Sequence, residues 1–246
     1  MIFQLDKEIR HLIKTTIGDC KIIIIKSNRG NSIIYKLTDT IKGDFYLKVS
    51  ANFYLAESLS SDKIIYEWLL GKIPVPKVQF YKKTEKFEAL CLTAIEGQNL
   101  YDLIGVVSNE DITKIYAQIL KHLHSISIKN CNIKISLEEK LKKVKQRISS
   151  NQIISEDFEE ENRHKSIMEL YEELLNKMPE DSELVFTHGD YCFDNLIIKE
   201  KKISGLIDIG RGGVADKYQD VALALRNIKH EFGSEYVRLF VYLRAV

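Results

Sequence analysis

The stretch His188-Gly189-Asp190-Tyr191-Cys192-Phe193-Asp194-Asn195, followed by Ile207-Asp208-Ile209-Gly210-Arg211, decides the reading of this chain. The first segment has the form H-x-D-x-x-x-x-N. The second is an Asp-x-Gly turn whose aspartate falls thirteen residues after Asn195. Asp, Asn and Gly favour turns in any protein, so either segment alone reads as a polar turn beside a strand. Together, at this spacing, they supply what phosphoryl transfer from ATP requires. Asp190 is the candidate carboxylate that orients an acceptor hydroxyl. Asp208 and Asn195 offer the carboxylate and amide oxygens that suit Mg2+, a hard cation.

Working outward, short apolar runs bracket these loops: Leu184–Thr187, Leu196–Ile198 and Ile203–Ile207 read as strands. Helical periodicity covers 112–126, with Ser108 and Asp111 as a capping-box-like start. Further helices are marked by Leu137, Leu141, Val144 and Ile148, and by Ile167 to Leu175, entered through Ser166-x-x-Glu169. A last helical region starts near Tyr218. The first hundred residues differ: 22–25, 33–37, 45–49, 78–81 and 89–94 read as strands, with one helix over 62–70 that ends before Gly71, Pro74 and Pro76. The predicted architecture is α+β, a β-rich N-lobe over 1–96 and a mainly helical C-lobe over 97–246.

Within the N-lobe, Lys48 lies in the apolar run Phe45-Tyr46-Leu47-Lys48-Val49. Alone it reads equally well as the solvated residue of an alternating strand. Beside a phosphotransfer loop it becomes the candidate that meets the α and β phosphates, and such a lysine needs a carboxylate to hold it. Asp62 and Glu57 are the candidates, with Asp62 preferred at the opening of its helix. The loop 27–32, with its single glycine Gly30, is a candidate phosphate cover and equally an ordinary hairpin turn.

Composition excludes several classes. The 246 residues carry 36 basic and 35 acidic side chains, net +1, which argues against a generic nucleic-acid binder. No apolar window reaches the length of a membrane span, and the N-terminus lacks the order of a signal peptide. Cys20, Cys91, Cys131 and Cys192 are far apart with no C-x-x-C, which suits a reducing cytoplasm better than a disulfide or zinc framework. At 45% hydrophobic and 29% charged, the chain can bury a sizeable core.

His188-Gly189-Asp190 with Asn195, Ile207 to Arg211, Ile73-Pro74-Val75-Pro76, His122-Leu123-His124-Ser125-Ile126 and the run Gly210 to Asp220 together resemble the aminoglycoside 3'-phosphotransferases, kinases of kanamycin and neomycin with a protein-kinase-like two-lobe fold. The resemblance covers essentially the whole chain. It implies ATP and Mg2+ as cofactors, an aminoglycoside as partner, and a monomer or weak dimer. It implies Asp190 as the catalytic carboxylate with Arg211 beside it, and Asn195 and Asp208 on the metal. Lys48 would lie on the phosphates. Tyr46 and Ile207 would sandwich adenine, and Thr93-Ala94-Ile95 would form the hinge at the adenine edge. Asp216 would brace the catalytic loop, though it reads equally as a helix N-cap.

Aminoglycosides are polycations, so their kinase needs a negative cleft. The run 155–161 holds five carboxylates in seven residues. Composition alone makes it a solvated linker; the resemblance makes Asp157 and Glu160 substrate ligands, with Glu231 and Arg226 further along. The chain ends at Val246, where the family is expected to continue for about one more helix lined with carboxylates. That expectation keeps a non-catalytic nucleotide-binding relative open, beside a kinase of choline or another small hydroxyl compound. A protein kinase is disfavoured by the lack of an A-P-E element.

Overall fold

The computed structural model describes residues 5–27, 32–51, 58–153, 158, 160–178 and 182–245. Helix α1 (Lys7–Thr16) precedes three antiparallel strands, β1 (Lys21–Ser27), β2 (Ser32–Thr38) and β3 (Phe45–Ala51). Helix α2 (Leu59–Leu69) then leads to β4 (Val78–Lys83) and β5 (Phe87–Thr93), completing a sheet ordered β1-β2-β3-β5-β4. The C-lobe holds β6 (Gln98–Asn99), α3 (Asn109–Ser125), α4 (Leu137–Ser149), α5 (Ile167–Asn176), β7 (Leu184–Thr187), β8 (Leu196–Lys199), β9 (Lys202–Leu206), β10 (Gly213–Asp216), α6 (Tyr218–Phe232) and α7 (Ser234–Ala245). This is the two-lobe α+β arrangement that the sequence predicts.

Serines start the helices. The hydroxyls of Ser108, Ser136 and Ser166 accept from the N–H groups of Asp111, Glu139 and Glu169, and Glu169 returns the bond to Ser166 N–H as a complete capping box. Ser58 does the same for α2, so that helix opens at Leu59 and Asp62 lies in its first turn. Strand and helix signals leave α1, β6, β10 and α7 unassigned.

The apolar core divides in two. Ile9 and Ile13 of α1, with Leu5 and Ile17, cover one sheet face with Leu37, Phe45, Leu47, Ala89 and Cys91. The larger core joins α2 and Leu90 to α3, α6 and the side chains of Tyr191 and Phe193 in the loop after β7. Thus α2, an N-lobe element, is anchored in the C-lobe core, and its polar groups are fixed relative to the catalytic loop. Phe240 is fully buried against the Tyr116 ring, while Val241 is exposed.

Candidate active site

Strand β3 divides its side chains by simple alternation. Phe45, Leu47 and Val49 are buried, whereas Tyr46 and Lys48 share the opposite face. Lys48 Nζ lies 3.3 Å from Asp62 Oδ2 and 3.6 Å from Asp208 Oδ1. Asp62 falls on the apolar stripe of α2 with Leu59, Ile65, Tyr66 and Leu69. A buried carboxylate needs a cationic partner, and this position is the signal that separates it from Glu57, which lies outside the described residues. Burial works against the charge on Lys48, but Asp62 and Asp208 outweigh it and hold its pKa above the usual lysine value.

Asp208 has φ 52°, in the left-handed region. The Tyr66 hydroxyl lies against the N–H groups of Asp208 and Ile209. A Cβ on Gly210 would come within 2.0 Å of Asp62 Oδ1, so any side chain there would displace the Asp62 carboxylate.

The catalytic loop leaves β7 through His188, a buried side chain. Its Nε2 donates to the Ile207 carbonyl (3.0 Å), while Nδ1 accepts from Asp190 N–H (3.3 Å). Both bonds fit a neutral imidazole, and burial lowers its pKa accordingly. Ile207 N–H donates to the Asn195 carbonyl at 3.0 Å. The two faces of one residue, Ile207, therefore tie the Asp190 and Asn195 loop to the strand end that carries Asp208. Asn195 Nδ2 donates to the Asp190 carbonyl (2.9 Å), which leaves its amide oxygen available as a ligand. Arg211 Nη1 sits 3.8 Å from Asp190 Oδ2. Gly189, at φ 81°, approaches so closely that a Cβ there would lie 2.0 Å from the Arg211 carbonyl.

The brace of the loop is Asp220, not Asp216. Asp220 is fully buried on α6 and accepts from the N–H groups of His188 (2.7 Å) and Gly189 (2.9 Å), with His124 Nε2 at 3.2 Å. Asp216 instead ends β10 and accepts from Tyr218 N–H at 2.7 Å, one residue ahead of the α6 N-cap at Lys217. The expectation failed by one helical turn: both aspartates stand in the same short motif, and only the path of β10 into α6 decides which points inward. The sequence places His124 in a motif without giving it a role and gives no sign of Tyr66, since each acts across a long sequence separation.

The candidate hinge, residues 93–95, is partly engaged. Thr93 N–H donates to the Lys77 carbonyl (3.0 Å) and Ala94 N–H to the Asp44 carbonyl (2.9 Å), so the Ala94 amide is already used as a donor inside the N-lobe. Ile95 packs over Gly205 of β9, next to Ile207. Tyr46 is 37% exposed and stands on the cleft face of β3.

Among the substrate candidates, Glu231 lies on α6 one turn beyond Asn227, whose amide reaches the Tyr191 carbonyl of the catalytic loop at 3.3 Å. Its Oε1 is 2.8 Å from His230 Nδ1. Arg226 and Glu160 are solvent-exposed. Gly30 and Asp157 lie outside the described residues, so the phosphate-covering loop and most of the acidic run are not part of this geometry.

The candidate donors for Mg2+ are two hard oxygens, the Asp208 carboxylate and the Asn195 amide oxygen. No cluster of three or more His, Cys, Asp or Glu suited to a metal occurs among the described residues. That composition fits Mg2+ held jointly by one carboxylate, one amide and the phosphates of a nucleotide, rather than a metal caged by protein alone. No helix among the described residues is long and apolar enough to cross a membrane.

Comparison with known proteins agrees with this geometry. The model of the phosphotransferase enzyme family matches residues 21–242. An aminoglycoside 3'-phosphotransferase of Niallia circulans is 32% identical over 228 residues, 92% of this chain and 86% of the relative. One from Enterococcus faecalis is 34% identical over 221 residues, 87% and 82% of the two chains. The crystal structure of an aminoglycoside 3'-phosphotransferase of type VIII superposes with TM-score 0.80 at 25% identity, covering 97% of this chain and 91% of the other. An aminoglycoside phosphotransferase from Streptomyces rimosus, solved with ADP and streptomycin, shares the fold with TM-score 0.79 at 21% identity over the same shares. The chain that builds this cleft around Asp190, Asp208 and Lys48 belongs to the phosphotransferase enzyme family, among its aminoglycoside 3'-phosphotransferases.

Proposed function

We propose that this chain transfers the γ-phosphoryl group of ATP to the 3' hydroxyl of an aminoglycoside in the cytoplasm, and so confers resistance. The observation that carries this reading is the linkage of three parts through single residues. Ile207 ties Asp190 and Asn195 to Asp208, and Lys48 ties Asp208 to Asp62.

The acceptor oxygen attacks the γ phosphorus, the bond to the β–γ bridging oxygen breaks, and ADP leaves. The transition state is loose, so positioning and charge neutralisation outweigh proton removal. Asp190 orients the hydroxyl and takes its proton late. Arg211 keeps a positive charge beside that carboxylate. Lys48, oriented by Asp62, meets the α and β phosphates. Asn195 and Asp208 would hold Mg2+, which supplies charge neutralisation on the phosphate oxygens when bound. Tyr46 and Ile207 bracket the adenine, and Ile95 offers the hinge amide that Ala94 does not. Glu231, with Asp157 and Glu160, attracts the amines of the antibiotic; Arg226 borders them on α6.

An ADP-release assay with kanamycin, neomycin, a 3'-deoxy aminoglycoside and choline tests this. Turnover with the first two alone is the expected result. Turnover with the 3'-deoxy compound moves the attacked hydroxyl elsewhere. Turnover with choline alone replaces the substrate class, and nucleotide binding without turnover on any acceptor removes the enzymatic reading.

A further inference from the structure

The residue after Asp190 is held in a way that the reaction as described does not use. Tyr191 is buried, and its hydroxyl donates to the Tyr116 carbonyl in α3 at 2.7 Å. The Tyr116 hydroxyl donates back to the Tyr191 carbonyl at 2.8 Å, across 75 positions of sequence. The two rings stack with centroids 4.6 Å apart, and Phe193 and Phe240 pack on the Tyr116 ring. Asn227 Nδ2 on α6 reaches the same Tyr191 carbonyl at 3.3 Å. Burial pushes both phenol pKa values well above the ordinary range, so both hydroxyls stay donors.

Two phenylalanines would fill the same volume but would take one donor away from each of two buried backbone carbonyls. What the hydroxyls add is geometry, because a satisfied buried polar network specifies one arrangement. The Asp190 carboxylate is 42% exposed and takes little guidance from packing. Its position follows from the peptides on either side. Upstream, Asp220 and His188 hold the N–H groups of residues 188 to 190. Downstream, Asn195 holds the Asp190 carbonyl, and the Tyr191 carbonyl takes two donors from two different helices. We infer that Tyr116 and Asn227 are positioning residues for Asp190, acting through the Tyr191 carbonyl. This rests on the reading of Asp190 as the carboxylate at the acceptor hydroxyl.

The test measures kcat, both KM values and Tm for Tyr116→Phe, Asn227→Ala and the double variant with ATP and kanamycin. Tyr116→Phe keeps the ring and its stacking. It should lower kcat about 5- to 30-fold, the range for a buried carbonyl losing one donor, with both KM values within about twofold. The double variant should fall further in kcat alone. Asn227→Ala, at a half-buried helix site, keeps the test open should Tyr116→Phe fold poorly. Ile13→Val in the N-lobe core serves as a stability control that lowers Tm without touching kcat. If Tyr116→Phe and Asn227→Ala both keep wild-type kcat, or lose it only in step with KM or Tm as a structural change does, the inference is overturned. Asp190→Ala, run alongside, separates the two readings. An inactive Asp190→Ala with unaffected Tyr116 and Asn227 variants sinks the positioning role alone. An active Asp190→Ala sinks the reading beneath it.

Discussion

The two sides of the cleft are held by different physics. On the N-lobe side, Lys48 is shared between Asp62 and Asp208 by charge, at 3.3 and 3.6 Å, and Asp208 is half exposed. On the C-lobe side, the catalytic loop hangs from buried hydrogen bonds to Asp220, His188 and the Tyr116–Tyr191 exchange. Charge pairs of this kind can exchange partners, so on the proposed reading Lys48 would trade a carboxylate for phosphate oxygens when a nucleotide arrives. Buried, directional bonds cannot exchange without leaving groups unpaired. The nucleotide side is built to adapt and the catalytic loop to stay fixed.

Asp190→Ala strikes the fixed side at its working end. Turnover should fall about 10²- to 10⁴-fold while ATP still binds, as followed by ADP release and nucleotide titration. Near-normal turnover would take Asp190 out of the reaction. Asp220→Ala strikes the same side at its anchor. It leaves two buried N–H groups without their charged acceptor and should cost about 3–5 kcal/mol of unfolding free energy. Chemical denaturation reads this, and a loss no larger than that of a surface change would show the loop to be held elsewhere.

The adaptable side should respond differently. Asp62→Ala frees Lys48 to wander and should raise KM for ATP about 10-fold with a smaller effect on KM for the antibiotic. Gly210→Ala, whose Cβ would come within 2.0 Å of Asp62 Oδ1, should push in the same direction. An equal rise in both KM values would erase the proposed division of labour.

The smallest expected effect is a pH slope. His188 is buried neutral, with its pKa lowered below 6.5 by burial. Below pH 6.5 the unfolded chain takes up a proton that the folded chain refuses, so unfolding free energy should decline as pH falls through and below 6.5 and be complete above it. Denaturation at pH 7.5 and 5.5 reads the slope. His188→Asn should flatten it; an unchanged slope assigns it to other groups.

Local chemistry explains which parts were legible in the sequence. The five N-lobe strands and helices α3 and α5 were readable because alternation and Ser caps are short-range signals, and α4 by its apolar period alone. Asp190, Asn195 and Asp208 stand out by motif spacing, whereas Asp62 is preferred over Glu57 only by its place at the opening of a helix. Helix α1 was not readable, because its apolar stripe of Ile9 and Ile13 is brief and set among charges. The choice between Asp216 and Asp220 depended on where a strand hands over to a helix, and the Tyr116–Tyr191 exchange on two segments 75 residues apart. Such facts belong to tertiary packing and leave no mark on local pattern.

At Gly189 the backbone of the catalytic loop meets that of Arg211 with room for a hydrogen atom and nothing larger. Mutation therefore has no route through this seam: any side chain there would wedge the phosphate-handling loops apart. If Glu231 and Arg226 on α6 meet the antibiotic as proposed, a changed charge there would alter which drug is drawn in while this seam stays intact.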